Sequence, residues 1–452
     1  MSYDQLISQS HLRWNLIGTL VLKFSSLAIS VLILPSYLRY FENKEVLGIW
    51  FVVLSLVSWV LFFDFGLGNG LKNRLIGDFA GKRFRDAVSS ITTTYAGMLG
   101  GGLVIAAAVA LTIPMAGGLR PAVAIVVKSQ DPDVIAGLIV IAVALFFQFQ
   151  LRLVSAILLA QQKSALNALL PFTTQVIVWL FLILASGEGH TGSFLSLAYA
   201  YSAAMLAPLL LATLAVYRDV RKWEVPLGGT VDAHKFVSLA GSGGKFFWIQ
   251  LCLLGINGSN ELFILHLARP EEVVTYQAYS RLFSIIVFGI ATLTVPVWGA
   301  MGQARALGDG RRIVRLAQFL GAALLLAVLT SLALALTADA VIVLWLGEAA
   351  VELSDTARWL FAIYAAVMAL ILCAGCIANA FESLTAQLWS LTLALVLKLI
   401  LLFAVFSVES WIDVMMATTL CLLPAAVWLG IGSGKLVVGA VGRMGEHAAP
   451  NS

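Results

Sequence analysis

Charge is scarce in this chain. Asp, Glu, Lys and Arg make up 12% of its 452 residues, against about 25% in soluble globular proteins. Hydrophobic residues make up 60%, more than a soluble protein of this size can hide while still covering itself with polar groups. Intrinsic disorder, secreted disulfide scaffolds and nucleic-acid-binding domains are excluded. Histidine is rarer still: His11, His190, His234, His266 and His447 are scattered and lack metal-ligand spacing. There is no GxSxG, no HExxH and no phosphate loop of the GxxxxGK[ST] type. No catalytic constellation, cofactor motif or loop large enough for a catalytic domain is present, so an enzyme is not expected. The four cysteines, Cys252, Cys373, Cys376 and Cys421, all sit in apolar runs. Cys373 and Cys376 form a CxxC without a second Cys or His pair nearby, so they read as small packing residues on a membrane helix.

What the chain has in quantity is long apolar runs. At about 20 to 22 residues per crossing, its apolar content suffices for about twelve spans. Candidate helices lie near 14–38, 46–68, 88–114, 135–160, 165–186, 193–217, 244–268, 273–300, 313–337, 354–380, 386–407 and 411–434. The first run is too long for the apolar core of a cleavable signal peptide and should remain as a span. The expected fold is all-α: a polytopic membrane protein with two six-helix bundles around a central cavity. The N-terminal bundle covers 1–217, a polar linker 218–244, and the C-terminal bundle with a short tail 245–452.

Basic residues orient the chain. Of 28 Lys and Arg, 18 fall in one set of loops and the tails, six in the opposite set, and four within spans. The richer set marks the cytoplasmic side, which places both termini there. The halves also echo each other. Asn43-Lys44-Glu45-Val46 precedes Pro270-Glu271-Glu272-Val273 by 227 residues, and Gly81-Lys82-Arg83-Phe84 precedes Asp309-Gly310-Arg311-Arg312 by 228. Ala160-Gln161-Gln162-Lys163 precedes Ala380-Phe381-Glu382-Ser383 by 220. Six spans per half predict parallel repeats related by an axis along the membrane normal.

The four bases within spans are Lys23, Arg152, Arg281 and Lys398. A mid-span charge costs about 2.5–3.5 kcal/mol on insertion scales, so it tends to face a cavity or a partner rather than lipid. Asn15, Thr19, Lys23, Ser26 and Ser30 recur at helical spacing, as do Gln148, Arg152, Ser155 and Gln277, Arg281, Ser284. Gln250, Asn257 and Glu261 make a further stripe; Lys398 has none. Such stripes face water or form hydrogen-bonded helix seams, and long basic side chains can also snorkel to the interface. Two carboxylates lie in spans, Asp64 and Glu261; each serves either cation coupling or pairing with a base. The net positive excess suits an anion, above all a phosphate, which Arg grips through two parallel hydrogen bonds. The glycine-rich run Asp64 to Gly70 reads as a turn at a helix end.

Asp64-Phe-Gly-Leu-Gly-Asn-Gly-Leu-Lys-Asn-Arg74, Val273-Val-Thr-Tyr-Gln-Ala-Tyr-Ser-Arg-Leu282 and Leu344-Trp-Leu-Gly347 resemble the corresponding segments of polysaccharide flippases of the O-antigen translocase (Wzx) type. These belong to the wider superfamily that includes MATE drug exporters and lipid II flippases. The resemblance covers nearly the whole chain. It implies a MATE-like fold and transport of a polyprenyl-diphosphate-linked oligosaccharide across the bacterial inner membrane by alternating access, with polysaccharide-assembly proteins as partners and a cationic cavity, here Lys23, Arg152, Arg281 and Lys398, for the diphosphate. A MATE-type exporter of cationic drugs, coupled to sodium or protons, is the main competitor and would draw on Asp64 and Glu261. A membrane-bound polysaccharide polymerase or ligase is the alternative of another class, although the 115–134 loop carries only Arg120 and Lys128 as bases.

Overall fold

The computed structural model describes residues 9–62, 67–115, 117, 118, 121, 126–185, 192–221, 244–347 and 354–448. Among them there is no strand. The helices in the first half are α1 (Gln9–Tyr40), α2 (Lys44–Phe62), α3 (Leu67–Ala80), α4 (Phe84–Met115), α5 (Pro132–Leu151), α6 (Leu153–Ala160), α7 (Ser164–Ala185) and α8 (Phe194–Arg221). The second half holds α9 (Gly244–Leu253), α10 (Asn260–Leu267), α11 (Glu272–Ala306), α12 (Gly310–Leu346), α13 (Asp355–Ala380), α14 (Leu384–Ile400) and α15 (Trp411–Ala448).

Ten helical segments among the described residues are long and apolar enough to cross a membrane. The two other expected runs are also helical. One is α2; the other is α9 with α10, divided by a π-helical turn at Leu254–Gly258. Many apolar side chains on the spans are exposed, among them Leu344, Leu211, Leu111 and Leu336. A bilayer covers such side chains; water would not tolerate them in this number. The chain is a multi-pass, all-α membrane protein. Residues 222–243, most of the expected linker, lie outside the described residues.

The chain divides into two compact units, Met1–Phe247 and Trp248–Ser452. In the first, α8 lies along α5 and α7 along α1. Gly137 makes the first contact close: a Cβ there would fall against the Phe194 ring. Asp133 ties the same pair at its end, accepting from Ser193 Oγ (3.0 Å) and Leu195 N (3.3 Å). In the second unit α13 is central, packed on α11, α12 and α15. Its buried face is rich in small residues, including Ala365, Ala369, Ala374 and Gly375, which lets helix backbones approach where lipid offers no hydrophobic drive.

The helix-ending turns explain part of the echo between the halves. Gln162 and Glu382 both adopt positive φ (60° and 56°). Lys163 N bonds Leu158 O and Ser383 N bonds Ala378 O, each at 2.9 Å, a Schellman-type close. Lys82 and Gly308 repeat the device at φ 54° and 69°. The turn thus aligns Lys82 with Gly308 rather than with Gly310, as the sequence spacing of 228 would have it.

Candidate functional site

The polar centre of the second unit grows from Leu254-Gly-Ile-Asn-Gly-Ser-Asn-Glu261, a weakly helix-forming run inside an apolar span. The π-turn at Leu254–Gly258 sits there. Such turns leave main-chain carbonyls without their usual helical partners and recur at functional sites. Gly255 matters sterically: a Cβ on it would lie 2.9 Å from Leu395 Cδ1. Its absence leaves room for the Leu395 side chain of α14, one turn before Lys398.

Lys398 is 0% exposed. Its Nζ donates to Ile256 O, to Ser259 Oγ at 2.8 Å and to Asn260 Oδ1 at 2.6 Å. Those bonds use all three donors of an ammonium. The Phe263 ring centroid lies 5.1 Å from Nζ, within cation–π range. The acceptors are held in turn. Ser259 Oγ donates to Gly255 O. Asn260 Nδ2 donates to Tyr276 Oη at 3.1 Å, which fixes the amide with Oδ1 toward Lys398, and Thr418 Oγ1 lies 2.8 Å from that Oδ1. A buried charge without such a shell would cost several kcal/mol.

Beside this shell runs a second chain of contacts. Glu261, 8% exposed, accepts from Gln277 Nε2 at 2.8 Å. Gln277 Oε1 accepts from Arg281 Nε at 3.3 Å. Tyr364 Oη donates to Asn257 Oδ1 at 2.9 Å. The stripe Asn257–Glu261 therefore meets α11 and α13, and Arg281 and Glu261 are joined through Gln277. Arg281 is half-buried.

In the first unit the expected bases stand differently. Lys23 on α1 is exposed. Part of its stripe is a helix seam: Thr19 Oγ1 lies 3.0 Å from Ser164 Oγ of α7. Arg152 is exposed at the junction of α5 and α6, where one residue interrupts the helix. A cavity of about 510 Å³ in this unit is lined mainly by apolar side chains with Tyr95, Gln150 and Thr213; neither Lys23 nor Arg152 lines it. Asp64 lies outside the described residues. Cys373 Sγ faces Leu320 O and Cys376 Sγ faces Thr294 O, so the two thiols of the CxxC turn to different neighbouring helices.

Ser259, Asn260, Tyr276 and Thr418 are absent from the stripe reading of the sequence. One local signal existed: two glycines, two asparagines and a serine crowded into a membrane helix, a mark of a discontinuous span. The pairing with Lys398 and Thr418, 138 to 158 residues away, has no local signal.

No protein-family model and no curated protein matches the chain. Solved structures do. The inward-facing form of a multidrug-resistance MATE family transporter of the MOP superfamily aligns with TM-score 0.68 at 13% identity, over 95% of this chain and 96% of that one. The outward-facing form of a multidrug-resistance MATE family transporter of that superfamily aligns with TM-score 0.62 at 12% identity, over 97% and 98%. A MATE structure in a bent conformation aligns with TM-score 0.57 at 13% identity, over 98% and 99%. At these identities the likeness establishes the fold, which is MATE-like.

Proposed function

We propose that this protein is a transporter that flips a polyprenyl-diphosphate-linked oligosaccharide across the bacterial inner membrane for surface-polysaccharide synthesis, with both termini cytoplasmic. The observation that carries the reading is the charge set well inside the expected spans: four bases, Lys23, Arg152, Arg281 and Lys398, against two carboxylates, Asp64 and Glu261, while Asp355 and Asp413 stand at span starts and Asp339 of α12 is paired with Arg358. Lys23, Arg152 and Arg281 retain exposure, so they are the groups we assign to the diphosphate. Lys398 spends its donors on the protein itself in this conformation, and a separate role for it follows below. A diphosphate brings about two negative charges; one ion pair at about 4 Å contributes about 4 kcal/mol at an effective dielectric of about 20. Losing one of three such groups should impair transport severely. Arg152 should tolerate Lys poorly, because only Arg offers bidentate geometry.

The test is complementation of a flippase-null strain with Ala variants at Lys23, Arg152 and Arg281, with membrane levels measured alongside. Defective variants should accumulate lipid-linked oligosaccharide on the cytoplasmic side. If all three express normally and restore surface polysaccharide, the cationic-site reading fails.

A second reading, a MATE-type cation-coupled exporter, draws support from one observation: Glu261 is a buried carboxylate in a polar cluster on an interrupted span. Export of cationic dyes from a strain lacking its own exporters, abolished by Glu261→Gln, would favour it over the flippase.

A further inference from the structure

We propose that the Lys398 ammonium is a tethered monovalent cation. The second unit builds an oxygen receptor of the kind that holds a free sodium, potassium or ammonium ion, and the chain fills it with its own side chain, so that no exchangeable metal ion is needed at this place. The proposal goes beyond the flippase reading and does not depend on which substrate is carried.

The chemistry of the shell carries it. None of the three acceptors is a carboxylate: they are a main-chain carbonyl, a hydroxyl and a side-chain amide oxygen. Interrupted membrane helices use freed carbonyls and neutral side-chain oxygens to replace the hydration shell of monovalent cations. Here the π-turn supplies the carbonyl of Ile256, and Ser259 and Asn260 follow directly after it. Each side-chain acceptor is turned toward the cation by a bond made on its other side. Ser259 gives its proton to Gly255 O, and Asn260 gives its amide protons toward Tyr276 Oη. Phe263 adds the face of a ring at 5.1 Å. The receptor is therefore specified for a positive charge independently of the lysine, whose stem enters from α14. Glu261, beside Asn260, is the nearest carboxylate along the chain, and it accepts from Gln277. A free ion would have to be recaptured each time the cluster opened; a tethered ammonium cannot diffuse away.

The receptor predicts what its emptied form will do. In Lys398→Ala the oxygens remain and the charge is gone, so a small cation from solution should take its place. The full-length protein, purified in detergent, is melted in chloride salts of choline, sodium, potassium, ammonium and methylammonium at equal ionic strength. Wild type should melt at the same temperature in all of them. Lys398→Ala should melt lower in choline and regain several degrees in at least one of the small cations, since a ligand that binds only the folded state raises its stability. Adding Asn260→Leu to that variant should remove the regain. If Lys398→Ala cannot be recovered in choline, recovery of folded protein in a small cation supports the receptor, and failure in every salt overturns it. A Lys398→Ala protein that melts alike in all five salts overturns it as well. So does a wild type that is itself raised specifically by sodium or potassium while the variant is not. Complementation results bear on the substrate reading alone, so the two proposals fail separately.

Discussion

Asn260→Leu should harm the second unit more than Lys398→Met, although Lys398 carries the charge. Asn260 is 1% exposed and holds three partners: Lys398 at 2.6 Å, Thr418 at 2.8 Å and Tyr276 at 3.1 Å. Leucine keeps the bulk and removes every bond. A hydrogen bond to a charged group contributes about 1.5–3 kcal/mol, and a neutral one within a membrane protein about 0.6 kcal/mol. The three together give about 3–4 kcal/mol, and the charge that remains buried is left partly uncompensated. Lys398→Met also removes three bonds, but it removes the charge with them and keeps an apolar stem of similar length. Taking the ion out also removes its own desolvation cost, which offsets much of the loss from the three acceptors left without Lys398, so about 1–2 kcal/mol is expected. For a unit of this size each kcal/mol moves the melting temperature by about 2–4 °C, so the two variants should differ by roughly 5 °C in choline chloride. The double variant should fall short of the sum, because the two side chains share one interaction. Thermal unfolding of the four proteins in one detergent gives the full cycle. A Lys398→Met protein at least as destabilised as Asn260→Leu, or strict additivity, would refute the reading of a shell preset for a cation.

Glu261→Gln should abolish transport while membrane levels stay normal, if the carboxylate takes part in coupling; a stable and fully active variant would leave it only a structural bond to Gln277. Reporter fusions after Lys245 should report cytoplasm, and fusions near Asp131 periplasm, because of the bias of Lys and Arg toward one set of loops; periplasmic activity at Lys245 removes the twelve-span topology. Gln162→Gly and Glu382→Gly should each raise stability by about 0.5–1 kcal/mol, since both replace a side chain held at positive φ; a loss in melting temperature at both would contradict the turn argument. Gly137→Leu should lower the yield of folded protein, with a cost of about 1–3 kcal/mol, because its side chain would occupy the place of the Phe194 ring.

Hydropathy is a local property, a sum over the residues of one run. The spans could therefore be read directly: α11 over Glu272–Ala306 encloses the run expected at 273–300, and α13 over Asp355–Ala380 matches the one expected at 354–380 to within one residue. Helical spacing was legible for the same reason, and the stripe of Asn257 and Glu261 does meet polar partners on α11 and α13. Spacing could not say what a stripe faces. Thr19, placed on a stripe with Lys23, turns to Ser164 of a neighbouring helix. Packing alone decided the surroundings of Lys398. On its helix the only other polar residues on the buried face are Gln387 and Ser390, and its acceptors come from a segment about 140 residues earlier in the chain. The π-turn that carries Ile256 O, the room at Gly255 taken by the Leu395 side chain, and the bonds that aim Ser259 and Asn260 meet Lys398 only once the helices are packed. Sequence by itself determined that a charge stands inside the membrane span; tertiary structure decided that it is sheathed in neutral oxygens, because a hydrogen bond depends on where two groups meet in space and not on where they stand along the chain.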